Sequence, residues 1–287
     1  MVTCQAGLSF AAVSAEPRRI PVCLSIAGSD SGGGAGIQAD LKAFARQRVH
    51  GTTAITAITA QNTIAVTRVE AVSPAMIVEQ VRAVVDDIGV DAVKIGMLGS
   101  VATAQAVGEA LDLLPEGTPV VVDPVMVAES GARLLDPEAQ QALVELVISR
   151  ATVVTPNLPE AGVLAGDDTL GVEALARAVH ALGPRAVIVT GGHREEAVDV
   201  LFDGRRIVEI AGERHRDGAA HGSGCTHSAT LAARLALGDD LEAAAREAKR
   251  VAAQGVRDGL RQIGRGAGPV DVLGLASTQV DDDRPLS

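Results

Sequence analysis

The run His221-Gly222-Ser223-Gly224-Cys225-Thr226 lies between the polar turn Arg216-Asp217-Gly218 and the alanine-rich stretch 228–237. Glycine leaves backbone N–H groups unobstructed, and a helix starting near Ser223 aims its unpaired amides and the positive end of its dipole at one point. That point suits an anion such as a phosphate, although the same residues also spell an ordinary helix cap. A second cluster lies almost two hundred residues upstream, from Ala27-Gly28-Ser29-Asp30 through Gly32-Gly33-Gly34-Ala35-Gly36 to Asp40. Four glycines in five positions make a costly loop unless something approaches the backbone closely.

The elements that must position these residues follow from hydrophobic periodicity, which switches repeatedly between short β-type runs and helical segments. Strands are expected over 20–27, 52–59, 92–95, 119–122, 152–155 and 186–190, and helices over 35–47, 74–87, 100–113 and 172–181. Pro74 after Ser73 marks a helix start, and Asp136-Pro137 opens another helix. Strands separated by helical crossovers imply a mainly parallel sheet covered on both faces. Runs 198–202 and 206–210 flank Asp203-Gly204, the signature of an antiparallel hairpin at one sheet edge. In such sheets ligands sit beyond the carboxyl ends of the strands. Gly28 to Gly36, Gln61-Asn62, Gly96-Met97, Asp123, Asn157 to Glu160 and Gly191-Gly192 all follow predicted strands and could share one rim, although each also fits plain turn chemistry.

Composition narrows the chemistry. The 287 residues, 47% hydrophobic, bury a full core, and one α/β domain over 20–275 is expected, with a loose extension at 1–19 and a solvated acidic tail at 276–287. Aromatic residues make up 1% of the chain and the net charge is −11, so nucleic acid is not an expected partner. No window is apolar for long enough to span a membrane, and the first twenty residues lack the basic start of a signal peptide. Cys4, Cys23 and Cys225 are odd in number and without C-x-x-C spacing, which points to the reducing cytoplasm.

Other site classes fit poorly. The lysines are Lys42, Lys94 and Lys249, and none follows glycine, so the P-loop signature is missing. Gly32 and Gly34 are followed by Ile37, with no carboxylate between Asp40 and Glu70, against a dinucleotide fingerprint. His215, His221 and Cys225 match no common zinc spacing, and no G-x-S-x-G elbow occurs.

One further pattern is carried by seven segments in order: Ser25-Ile26-Ala27-Gly28-Ser29-Asp30 with Gly33-Gly34-Ala35-Gly36-Ile37-Gln38-Ala39-Asp40-Leu41-Lys42, Thr59-Ala60-Gln61-Asn62-Thr63, Lys94-Ile95-Gly96-Met97-Leu98, Asp123-Pro124-Val125-Met126, Thr155-Pro156-Asn157-Leu158-Pro159-Glu160-Ala161, Gly191-Gly192-His193, and His221 to Thr226. From about residue 20 to the 264–269 segment the chain resembles the hydroxymethylpyrimidine/phosphomethylpyrimidine kinases of thiamine biosynthesis, within the ribokinase-like superfamily.

The resemblance implies a three-layer α/β/α sandwich. It also implies transfer of the ATP γ-phosphoryl group to 4-amino-5-hydroxymethyl-2-methylpyrimidine and then to its monophosphate. Gly222, Gly224 and Cys225 become the catalytic set, their amides facing the transferring group. Cys225 stands where most of the superfamily has an Asp that accepts the substrate proton, and a thiol at a helix N-terminus can have its pKa lowered. Gln61 becomes the reader of the pyrimidine, with its amide donor and acceptor, alongside Gly28, Asp40, Thr59, Met97 and Val125 in the pocket wall. Asn157, Thr190, Gly192 and Ser223 fall to ATP, and Glu160 with Asp123 to Mg²⁺.

Where the family often carries Lys, and Lys or Thr, this chain has Thr190 and Glu129, which leaves charge near the phosphates to an Arg or a monovalent cation. A homodimer is the implied assembly. The rivals are a pyridoxal kinase of the same superfamily and a non-catalytic pyrimidine sensor.

Overall fold

The structure, a computed structural model, describes residues 20–128, 131, 134–136, 138–191, 197–215 and 218–276. The extension at 1–19, the tail from 277, Glu129 and Gly192 lie outside the described residues. Nine strands form one sheet among them: β1 (Val22–Asp30), β2 (His50–Gln61), β3 (Val66–Ala71), β4 (Ala92–Ile95), β5 (Val120–Val122), β6 (Val153–Val154), β7 (Val187–Val189), β8 (Asp199–Phe202) and β9 (Ile207–Ile210). Their order is β3-β2-β1-β4-β5-β6-β7-β8-β9. From β2 to β7 every neighbouring pair is parallel. The runs Val120–Val122 and Val187–Val189 are apolar throughout and fully buried, as a strand covered on both faces requires.

Helices α1 (Gly36–Arg46), α2 (Pro74–Asp87), α3 (Val101–Ala110), α4 (Ala139–Leu146), α5 (Leu158–Ala165), α6 (Val172–His180), α7 (Ser223–Ala236) and α8 (Leu241–Arg257) complete the layers. One face of the sheet packs on Ile77 and Val81 of α2, Val107 of α3, Leu143 of α4, Leu164 of α5 and Leu175 of α6. The other packs on Phe44 of α1, Leu231 and Ala232 of α7, and Ala244 and Ala248 of α8. The chain is thus a three-layer α/β/α sandwich. No described helix is long and apolar enough to cross a membrane.

The expected hairpin forms between β8 and β9. Asp203 Oδ1 accepts the amides of Arg205 and Arg206, both at 2.9 Å. Strands β1 and β2 run on to Asp30 and Gln61, past the ends expected at 27 and 59, and three further elements differ from the sequence reading. The opposite edge is antiparallel as well, because β3 returns against β2; its residues are exposed apart from the first, so no apolar alternation marks it. Helix α8, which that reading leaves unassigned, starts where the Asp240 side chain accepts the Ala243 amide at 2.8 Å. The helix expected from residue 136 begins three residues later, after a turn in which the Asp136 carbonyl accepts the Ala139 amide.

Sheet order positions the site. After β1, α1 carries the chain to β2 on one side, while β4 pairs on the other. Loops leaving β1 and β4 therefore part there and open a crevice at their carboxyl ends.

Candidate active site

A cavity of about 430 Å³ opens in that crevice and draws its walls from both glycine-rich segments. Strand β1 slips register against β2 between Ala27 and Ser29, which frees Gly28 beside Met97. Beyond it the chain turns at Asp30, whose carboxylate accepts the amides of Gly32 at 2.7 Å, Gly34 at 3.0 Å and Ala35 at 2.8 Å. The same carboxylate lies 3.1 Å from Nε2 of His221, so one acid organises the first loop and clasps it to the second. Burial works against the Asp30 charge, but His221 and the amides of Ala35 and Gly32 outweigh it and hold the carboxyl below its ordinary range.

The backbones touch as well. Gly222 has φ +83°, and a Cβ there would overlap the Gly34 carbonyl oxygen; a Cβ on Gly34 would overlap the His221 ring. Only glycine allows this approach.

Helix α7 starts immediately after this contact, with Gly222 as its N-cap and no side chain capping it. The first-turn amides of Gly224 and Cys225 have no partner within the helix, and both residues line the cavity. The Cys225 thiol is pushed up to about 12, by burial first, while Lys94 pulls it down and Asp123 and Asp40 add to the rise. The lowering expected at a helix N-terminus is therefore overridden, and the thiol is neutral at pH 7.

Asp40 also differs from expectation. It does not line the cavity but lies fully buried, accepting from Ser25 Oγ at 2.6 Å and Lys94 Nζ at 3.0 Å. The acid serves the site through Lys94, which does line the cavity. Burial works against the Lys94 charge, yet Asp40 first, with Asp123 adding to it, keeps the ammonium protonated.

Two carboxylates face the cavity, Asp123 just past β5 and Glu160 in the first turn of α5. Asp123 accepts from Ser228 Oγ at 3.0 Å, and burial raises it above the ordinary carboxylate range. Glu160 is raised to about 8 by burial and then by the charge of Asp123. Glu160 also closes a capping box on α5: its Oε2 accepts the Asn157 amide at 2.9 Å, and Asn157 Oδ1 accepts the Glu160 amide at 2.9 Å. Two buried acids in each other's field, with Lys94 already committed to Asp40, suit a cation that keeps most of its water shell. Among the described residues no three His, Cys, Asp or Glu gather as a tighter metal site would require.

These strand ends, glycine contacts and acids have the order and spacing of one family. The description "Phosphomethylpyrimidine kinase" belongs to the family model that matches residues 30–271. The chain belongs to the phosphomethylpyrimidine kinase family. The hydroxymethylpyrimidine/phosphomethylpyrimidine kinase of Rhizobium meliloti is 49% identical over 257 residues, covering 87% of this chain and 96% of that protein. The Bacillus subtilis protein of the same description is 40% identical over 270 residues, covering 91% and 98%.

Among solved structures, the phosphomethylpyrimidine kinase of Clostridium difficile superposes with a TM-score of 0.70 at 40% identity, covering 80% of this chain and 96% of that one. A Staphylococcus aureus pyridoxal kinase in complex with AMP-PCP and pyridoxal gives 0.80 at 31% identity, covering 92% and 97%.

Within this phosphomethylpyrimidine kinase fold the structure gathers Gly28, Thr59, Gln61, Met97, Asp123, Val125, Asn157, Glu160, Thr190, Gly222, Ser223, Gly224 and Cys225 around one cavity. Gly192 falls outside the described residues. Sequence reasoning passed over the clasp between Asp30 and His221, the role of Lys94, and a second buried cluster. In that cluster Lys249 Nζ bonds Asp199 Oδ1 at 2.6 Å, His227 Nε2 lies 3.3 Å from Asp199 Oδ2, and the Gly191 amide donates to Asp199 Oδ1 at 2.8 Å. The cluster lines the same cavity as uncharged Thr190. A signal was present: the chain has three lysines, and two of them, Lys94 and Lys249, are buried.

Proposed function

We propose that this chain, as a single kinase domain over 20–275, phosphorylates 4-amino-5-hydroxymethyl-2-methylpyrimidine with ATP and then phosphorylates the monophosphate to the diphosphate. The observation that carries the reading is the clasp of His221 on Asp30. It sets an alcohol-sized pocket walled by Gly28, Gln61, Met97 and Val125 against the bare N-terminus of α7.

The Gln61 amide, donor and acceptor together, reads the aminopyrimidine edge. Thr59, Met97 and Val125 wall the ring, and Gly28 permits its close approach. Amides of Gly222, Gly224 and Cys225 stabilise the equatorial oxygens of the moving phosphoryl group, where losing one such donor costs about a hundred- to a thousandfold in rate. A neutral Cys225 thiol fits a loose transition state in which the alcohol keeps its proton until late; the residue contributes its amide and a small neutral wall.

Asn157, Thr190 and Ser223 lie along the path of the ATP phosphates, with Gly192 in the same reading. Glu160 and Asp123 would hold Mg²⁺ through its waters. When bound there, the ion neutralises charge on the phosphates.

Two copies pair, with Ile58 and Val69 on the exposed hairpin of β2 and β3 supplying apolar surface, and light scattering that returns a monomer mass refutes this. The unpaired Cys23 and Cys225 accord with a reducing cytoplasm.

The test offers the pyrimidine alcohol, its monophosphate and pyridoxal in parallel with ATP and identifies the products. Monophosphate and diphosphate are expected. Phosphorylation of pyridoxal alone would transfer the chain to the second reading, favoured by the shared fold of the pyridoxal kinases. Binding without turnover would make it a sensor.

A further inference from the structure

Thr59 has one hydroxyl proton and two neighbours that could take it. The Ser29 carbonyl oxygen lies 2.9 Å from Thr59 Oγ1, and the nearer end of the Gln61 side-chain amide lies 3.2 Å away. A backbone carbonyl can only accept, and it is the nearer of the two, so the proton goes to Ser29. The hydroxyl then offers Gln61 lone pairs alone. The two ends of a carboxamide are interchangeable in shape, and the hydrogen-bond network decides which is which. A carbonyl end facing Thr59 would set lone pairs against lone pairs, whereas an NH₂ end completes the chain Gln61 to Thr59 to Ser29.

The Gln61 backbone cannot swing to relieve the choice. Ser31 Oγ donates to its carbonyl at 2.7 Å and accepts from its amide at 2.8 Å.

We infer that Thr59 is a positioning residue that fixes the polarity of the Gln61 amide, nitrogen inward and oxygen free, and so selects rings that present a hydrogen-bond donor, an exocyclic amino group, to that oxygen. This rests on the proposed reading of Gln61 as the ring reader and adds the reason the reader has only one orientation. A ring with a carbonyl in place of the amino group has its donor and acceptor exchanged. To meet it, the amide must turn over, and either the Ser29 carbonyl or the amide oxygen loses its partner. Thr59 is 4% exposed, so water does not readily make up the loss.

The experiment compares kcat/KM for the 4-amino substrate with that for its 4-oxo counterpart, which keeps the same hydroxymethyl group, in wild type, Thr59→Val, Thr59→Ser and Gln61→Ala. Thr59→Val is isosteric but has no hydroxyl; with the amide free to turn, the amino-over-oxo ratio is expected to fall about tenfold, the worth of one hydrogen bond. Thr59→Ser keeps the hydroxyl and should restore the ratio. A ratio unchanged in Thr59→Val, or one lost equally in Thr59→Ser, overturns the inference while leaving the reading of Gln61 standing, provided Gln61→Ala collapses the ratio. A ratio unchanged in Gln61→Ala overturns both.

Discussion

Asp30→Ala deletes in one step the acceptor of three backbone amides and the partner of His221. The Gly32 amide belongs to an exposed residue, and water replaces its bond at little cost. Gly34 is buried and Ala35 half-buried, and His221 is 7% exposed. A buried donor left unmade costs ~1–3 kcal/mol; with Gly34, Ala35 and His221 all at the lower end the loss is about 3 kcal/mol, and with Gly34 at the upper end about 5 kcal/mol. For a chain of this size that lowers the apparent Tm by roughly 6–15 °C, read by far-UV circular dichroism at pH 7.

Turnover measured well below that Tm should still fall more than tenfold, because the clasp aligns Gly222 and the start of α7 with the alcohol pocket. A pH series adds an independent arm. The folded Asp30 carboxyl titrates below its ordinary 3.8, so its stabilisation is complete above that pH and is lost as pH falls through the lower folded value. Asp30→Ala should abolish this acid-side slope. A Tm within about 2 °C of wild type, with normal turnover, refutes the clasp as an organising contact.

Other outcomes follow from the same geometry. Gly222→Ala forces a Cβ onto the Gly34 carbonyl oxygen at φ +83° and should abolish turnover while lowering Tm; an active, stable variant rules out the backbone contact. Lys94→Met leaves Asp40 as a buried acid without its cation and should cost about 3–5 kcal/mol in urea unfolding, with much of the loss recovered in Lys94→Met with Asp40→Asn; no recovery in the double variant places the cost elsewhere.

Cys225→Ala keeps the backbone amide, so kcat should fall less than tenfold if the thiol is a neutral wall. A drop of a thousandfold, with pyrimidine affinity preserved, would make the thiol the base. Glu160 titrates near 8 rather than 4.5, so the metal-free protein should lose stability as pH rises from about 4.5 to 8. Glu160→Gln should flatten that limb, and an unchanged slope removes Glu160 as its source.

Much of the scaffold was readable because its strands are buried on both faces and so stand out as apolar runs. Residues 92–95 and 74–87 match β4 and α2 to the residue. Strand β3 escaped because an exposed edge strand needs no buried face, and Val66–Ala71 alternates too weakly to mark one. The glycine segments were legible as close-approach backbone, but their reason for meeting was not, since pairing Asp30 with His221 is a fact of topology that no local spacing encodes.

For Asp40 and Cys225 the residue types were picked out while their environments were misjudged. A motif gives the position of an ionisable group, and burial, which sets its charge, belongs to the assembled sheet. Lys94 and Lys249 show the converse, since a cation reads as surface until its buried acid is located.

The bond between residues 30 and 221 spans 191 positions, which makes this pocket one of the last parts of the molecule to exist. A chain emerging from the ribosome can pair β1 with β2 early, yet it has no phosphate cradle until α7 has been synthesised and folded back. Closing so wide a loop carries an entropic penalty that grows only slowly with length, but contacts of this separation slow the search itself. Ligand competence is therefore a late, all-or-none gain, and fragments truncated before residue 221 should bind neither partner of the reaction.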